Sequence, residues 1–188
     1  MAKISMKPGN MVYPVPAAII SVAGRDGKSN LITAAWTGTI NSDPAMAYVS
    51  IRPERFSHHM IEETGEFVIN LTTRSLVRET DLCGVTSGRD VNKWKLTGLS
   101  PMRSQVVNVP IIKECPVNIE CRVTEVKRLG SHDCFLAEVV AINASEEYFD
   151  EKGRFNLEKA DLIAYSHGAY YALGEKLGTF GYSIRKKP

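Results

Sequence analysis

Ala17-Ala-Ile-Ile-Ser-Val-Ala-Gly24-Arg-Asp-Gly27 is the stretch whose reading decides the fold. The apolar run from Ala17 to Ala23 stops at Gly24, and a second apolar run begins at Leu31. An Asp-Gly pair between two such runs predicts a β hairpin, because glycine accepts the positive φ that the turn demands. A further strand is predicted at Met46 to Ile51, reached through the turn-forming cluster Asn41-Ser-Asp-Pro44. The chain therefore opens as a β meander.

Beyond it, Pro53 ends the strand, and Phe56 to Glu63 reads as a short helix with Ser57 as its N-cap and Gly65 near its end. Phe67 to Leu71 is the next strand. A second helix is predicted from a Ser75 cap through Leu82 to Gly84, followed by the polar loop Thr86 to Trp94 and a brief helical turn. From Val117 to Val126 apolar and polar residues alternate, the period of a half-buried antiparallel strand, with a register slip near Glu125 that reads as a bulge. Cys134 to Ile142 returns beside it through the turn Leu129-Gly-Ser-His-Asp133. The last forty residues place Tyr165, His167, Tyr170 and Tyr171 among glycines without a clear period. About six strands, short helices and no βαβ alternation predict a mainly β protein, an antiparallel barrel, and argue against a Rossmann fold.

The 188 residues suffice for one domain with one substantial core. A formal charge of +2 gives no electrostatic case for binding nucleic acid or coating a membrane, so any phosphate recognition is expected to be local. The N-terminus lacks the apolar run of a signal peptide, so a cytoplasmic location is expected. Cys83, Cys115, Cys121 and Cys134 have neither CxxC spacing nor a neighbouring histidine ladder, which fits reduced thiols better than a zinc site. Glycine-rich phosphate loops of the GxGxxG and GxxxxGK[ST] types are missing from the sequence.

Two segments carry the chemistry. Asn30-Leu-Ile-Thr-Ala-Ala-Trp-Thr-Gly38 and Tyr48-Val-Ser-Ile-Arg-Pro-Glu-Arg-Phe-Ser-His58 combine apolar strand residues with cations and hydroxyls. Such a pairing suits a ligand with a flat aromatic body and an anionic tail. The strands would sandwich the ring, while Arg52, Arg55, Ser57 and a helix N-terminus would hold a phosphate.

In order along the chain, Pro14-Val-Pro16, Asp26-Gly-Lys-Ser-Asn30, Thr33 to Gly38, Asp43-Pro44, Ser50-Ile-Arg52, Gly65-Glu-Phe-Val-Ile-Asn70, Ser87-Gly-Arg-Asp-Val-Asn-Lys93 and the closing Tyr170 to Gly181 resemble the flavin reductase-like family of FMN-binding split barrels, most closely its flavoredoxin branch. The resemblance implies a six-stranded Greek-key barrel and a homodimer with FMN near the subunit junction. It implies Ser57 and Lys93 at the flavin phosphate, with Arg52, Arg55 and Arg89 as auxiliaries. It also implies Trp36 against the isoalloxazine, Asn30, Thr33 and Thr37 at the pyrimidine edge, and Ser50 beside Arg52. Asn70 is a weaker candidate. His132, reaching across from the partner subunit, and Tyr165 would stand beside the cofactor. One of His58 and His59 would face the phosphate, and His167 a reductant. The chemistry would then belong to FMN, with NAD(P)H or a redox protein as electron donor and no catalytic acid or nucleophile from the chain. An electron carrier without NAD(P)H activity, or a barrel binding no flavin, are the alternatives. The basic tail Arg185-Lys-Lys-Pro188 would steer an acidic partner or lie solvated.

Overall fold

The chain enters through a two-residue strand, β1 (Val15–Pro16), and passes at once into β2 (Ala18–Ala23), every residue of which is buried. In this computed structural model, which describes residues 1–184, β2 pairs on one side with β3 (Ser29–Ala34) and on the other with β6 (Glu66–Leu71). The β2–β3 connection is the expected Asp-Gly hairpin. The Gly24 N–H donates to the Lys28 carbonyl at 2.9 Å, and Gly27 has φ 78°.

The stretch from Asn30 to Gly38, expected to be one run, breaks at Ala35-Trp36 into β3 and β4 (Thr37–Ser42). After the turn at Asp43-Pro44, β4 pairs antiparallel with β5 (Ala45–Ile51). The sheet thus has seven strands rather than the expected six, in the order β3-β2-β6-β9-β10-β5-β4, where β9 is Val117–Arg128 and β10 is Asp133–Ala144. The break lets one edge of the sheet turn towards the other. At the corner the Ser50 N–H donates to the Trp36 carbonyl at 2.8 Å, and β3 packs against β5. This is an antiparallel split barrel. Its interior holds Ile20, Val22, Val49, Phe67, Ile69 and Phe135.

Helix α1 (Phe56–Thr64) ends at Gly65 as expected, but its N-cap is Arg55 and Ser57 is the second residue of the helix, buried. Ser75 is likewise no cap. It falls in a 3₁₀ turn (Arg74–Leu76) and shares a 2.8 Å hydrogen bond with Thr73, and α2 (Val77–Val85) follows. Asn92 caps α3 (Lys93–Thr97) by accepting from the Lys95 N–H. Helices α2 and α3 and strand β8 (Ile111–Ile112), which pairs with β7 (Pro101–Met102), cover the outer face of β2 and β3 through Ile19, Leu31, Cys83, Trp94 and Ile112. The bulge expected near Glu125 lies one residue earlier, at Thr124, whose hydroxyl donates to the Leu136 carbonyl.

The closing segment contains a hairpin, β11 (Ile163–Ser166) and β12 (Ala169–Ala172), with β11 also pairing to β1. Its two-residue turn, His167-Gly168, has φ 48° and 92°, the positive values that such turns require. The four cysteines are free thiols, three of them buried. The basic tail from Arg185 lies outside the described residues. Among the described residues, no helix is long and apolar enough to cross a membrane.

Two carboxylates, Glu66 and Glu120, organise the loop before β8, and Glu66 accepts from the Asn108 N–H at 2.9 Å. Glu120, fully buried on β9, accepts from the backbone N–H groups of Gln105, Val106 and Val107 at 2.7, 2.7 and 3.0 Å and from the Asn143 amide at 2.7 Å. Burial alone would raise its pKa, but these four donors outweigh it and hold the carboxyl below its ordinary value. The stabilisation is therefore present above the ordinary carboxylate range and is lost as pH falls through the lowered pKa. Glu120→Gln would turn an NH₂ towards N–H groups that need an acceptor. It is expected to cost roughly 1–3 kcal/mol, seen as a lower urea midpoint at unchanged slope. An unchanged midpoint would show that the carboxylate does not anchor the loop.

Candidate functional site

Two adjoining cavities open where β3, the β5–α1 connection, the loop before α3 and the β9–β10 hairpin meet. The first, about 360 Å³, is lined by Asn30, Arg55, Ser57, Gly88, Arg89 and Lys93. The second, about 230 Å³, is lined by Thr33, Trp36, Ser50, Arg52, His132 and Tyr165. Ile32 and Arg55 belong to both. A larger cleft, about 650 Å³, lies beside the β2–β3 hairpin and Pro110 and holds none of the candidate residues.

Folding brings the first cavity together because α2 and α3 must cover the outer face of β3. That places the α2 C-terminus, the Ser87-Gly-Arg-Asp turn and Lys93 above Asn30. Lys93 is only 3% exposed, and its Nζ donates to the Cys83 carbonyl, one of the last carbonyls of α2, at 2.7 Å. Burial, with the Arg55 charge opposing protonation as well, brings its pKa down from 10.5 to about 8. That displacement corresponds to a cost on the order of 3 kcal/mol for keeping the ammonium charged at this buried position. A bound anion would offset this cost.

Ser57 is held by Asn30, whose amide donates to its Oγ at 2.9 Å. The start of α1 also faces this cavity through Arg55, Phe56 and Ser57, and the side chain of its N-cap residue, Arg55, does not cap its first N–H groups. Uncapped N–H groups with the positive end of the helix dipole favour an anion. Around the two cavities stand Arg52, Arg55, Arg89 and Lys93 against one carboxylate, Glu54.

The second cavity is aromatic on one wall. The Trp36 ring lies 6.0 Å from Tyr13, which lies 6.2 Å from Tyr165 and 5.9 Å from His167. His132 is half-buried, and its pKa is lowered by burial and then by the Arg52 cation. It lines this second cavity.

Nine of the ten principal candidates thus line one cavity or the other. The exception is Thr37, buried, whose hydroxyl donates to the Tyr48 carbonyl at 2.7 Å. The Thr33 hydroxyl donates to the Thr80 carbonyl, and Asn30 lies with Ser57 rather than with the aromatic wall. Arg52 belongs to the aromatic cavity, and Arg55 bridges the two. Asn70 is a core hub. Its Nδ2 donates to the Ile19 carbonyl at 2.8 Å, and its Oδ1 accepts from the Ile112 N–H and the Asn118 amide. His58 turns inward to Asp133, and His59 is exposed beside Phe56.

Sequence reasoning missed Gly88. A Cβ there would stand 2.5 Å from Asn30 Oδ1, so only glycine lets the loop close on that side chain. Ser87-Gly88 was a visible turn signal, but the close approach depends on the long-range packing of the loop over β3.

The flavin reductase like domain model matches residues 10–174. The chain belongs to the flavin reductase like domain family. The chain is similar to the flavoredoxin of Desulfovibrio vulgaris (Miyazaki F), with a TM-score of 0.90 and 28% identity over 98% of this chain and 100% of that one. It is also similar to the FMN-binding protein of Thermus thermophilus solved with 1-cyclohex-2-enone bound, with a TM-score of 0.78 and 27% identity over 95% of this chain and 97% of that one. An uncharacterized protein of Pyrococcus abyssi is 32% identical over 167 residues, 89% of this chain and 95% of its own length. The family assignment agrees with the barrel and with the flavoredoxin resemblance of the sequence.

Gly88→Ala forces its methyl group against a buried Asn30 already bonded to Ser57. We expect a loss of about 1–3 kcal/mol in thermal or urea unfolding. Wild-type stability would show that the loop yields freely and does not need glycine.

Proposed function

We propose that the protein is an FMN-dependent oxidoreductase that passes electrons through flavin held across the two cavities. The observation that carries this reading is their pairing: a cation-rich cavity with a buried lysine and an uncapped helix start adjoins a cavity with an aromatic wall. A phosphate on a flexible tail suits the first, and a flat ring the second. In this reading Ser57, Lys93 and Arg89 hold the phosphate, Asn30 steadies Ser57, and Arg55 sits where tail and ring meet. Trp36 and Tyr165 flank the ring, with Thr33, Ser50, Arg52 and His132 around its edge. Thr37 supports the strand from behind. Bound flavin would supply hydride and electron transfer, and the chain's part is to bind the ring, leave one side open and set the charge around it.

The electron donor in this reading is NAD(P)H, which approaches the ring through the cavity mouth. The protein works as a homodimer in the cytoplasm. Support for the dimer comes from the end segments, where Val12 is 87%, Leu177 86% and Phe180 104% exposed. Such side chains are normally covered, and an apolar groove formed by Pro14, Pro16, Leu71, Ile163 and Leu173 gives a second copy a complementary surface.

The visible spectrum of protein purified without added flavin, followed anaerobically after NADH and then NADPH, tests the function. Yellow protein bleached by either nucleotide supports the reductase. Yellow protein reduced only by dithionite makes it an electron carrier, and protein that binds no supplied FMN overturns the reading.

Lys93→Ala is expected to weaken FMN at least tenfold while changing riboflavin less than threefold, and equal losses would remove Lys93 from the phosphate. A phosphate bound beside Lys93 raises its pKa above about 8. FMN affinity should therefore be full below that pH and fall as pH rises through it, with riboflavin unaffected. Parallel titrations of the two flavins at pH 7 and pH 9.5 read the difference.

A further inference from the structure

Outside the cavities lies a closed ring of polar side chains that ordinary binding roles leave unexplained. His58 and Asp133 are both buried, and His58 Nε2 lies 2.9 Å from Asp133 Oδ2. Arg128 bonds the same Asp133 oxygen at 2.7 Å and Glu62 at 2.8 Å, and Glu62 lies 3.5 Å from His58 Nδ1. Phe135 packs its ring edge-on to the imidazole at 5.2 Å. The ring joins α1 to both strands of the β9–β10 hairpin.

Stability does not account for such a pair. Burying two polar groups incurs desolvation that their attraction barely offsets, and apolar side chains of similar volume often replace such pairs at no loss. What a hydrogen bond adds over apolar packing is direction and distance. Here the bonded residues are the immediate neighbours of two cavity residues. His58 follows Ser57, which lines the cation-rich cavity. Asp133 follows His132, which lines the aromatic one.

We propose that His58 and Asp133 are positioning residues that lock the first turn of α1 to the β9–β10 hairpin, so that the two cavities stand at the separation a single ligand spanning both requires. The inference rests on the reading of the cavities as one FMN site. Its consequence is a connection effect. A ligand that bridges both cavities gains from their preset geometry, whereas a ligand confined to one cavity gains nothing.

The test compares three probes on the full chain: FMN, which fills both cavities, riboflavin, which lacks the phosphate, and inorganic phosphate followed by amide NMR shifts around Ser57 and Lys93. With His58→Leu, Asp133→Leu and the double variant, FMN affinity is expected to fall at least tenfold while riboflavin and phosphate each change less than threefold. His58→Gln retains an amide donor towards Asp133 and is expected to restore FMN to within threefold of wild type. Thermal melts establish that each variant is folded. If the leucine variants do not fold, His58→Asn, polar but too short to reach, takes their place in the same comparison. Parallel losses for all three probes would show a merely structural pair and overturn the proposal, as would unchanged FMN binding in a folded variant. Wild-type protein that binds neither flavin would instead remove the FMN reading on which the proposal stands.

Discussion

Strand β2 is buried on both faces, and the rest of the structure follows from covering it. Its inward side chains, Ala18, Ile20 and Val22, join the barrel interior. Its outward face carries Ile19 between the polar Ser21 and Asn70 contacts, and it needs a second layer. The layer that covers it consists of α2, α3 and β8, docked by Cys83, Trp94, Leu99 and Ile112. Asn70 adds direction to that packing by tying β2, β8 and β9 together through one side chain. The same layer brings the Cys83 carbonyl, Gly88, Arg89 and Lys93 over Asn30. The site is thus a by-product of completing the core.

Electrostatics then separates what the fold needs from what a ligand needs. Glu66 and Glu120 are buried carboxylates whose donors are internal, and they serve the loop before β8. Lys93 is the opposite case. It is a buried ammonium whose hydrogen-bond partner is a carbonyl, in a cavity that it shares with Arg55, Arg89 and the single carboxylate Glu54. An anion placed beside such a charge would offset the cost of its burial. The family assignment and the pairing of cavities converge on the same ligand class.

Much of this was legible in the sequence where local physics governs. The Asp26-Gly27 hairpin, the αL stop at Gly65 and the alternation from Val117 required only neighbouring residues. The misreadings arose where distant packing prevailed over local preference. Ser57 looked like a helix cap by residue type, yet burial against Asn30 drew the helix start back to Arg55. The break at Ala35-Trp36 has no glycine or proline to announce it, and the approach of the two sheet edges imposes it. His167-Gly168 was a turn signal hidden among other glycines, since histidine is a less familiar occupant of positive φ than asparagine. His58 and Asp133 lie 75 residues apart in the chain, and no spacing rule could have paired them.

Trp36 divides its labour between backbone and side chain. Its carbonyl joins Ser50 at the corner where the sheet edges meet, while its indole lines the aromatic cavity. Architecture at this position is therefore written in the peptide group, which every amino acid carries. The indole is a replaceable fitting on a permanent hinge pin. A different side chain at residue 36 would change the wall of the aromatic cavity while leaving the backbone bond to Ser50 in place.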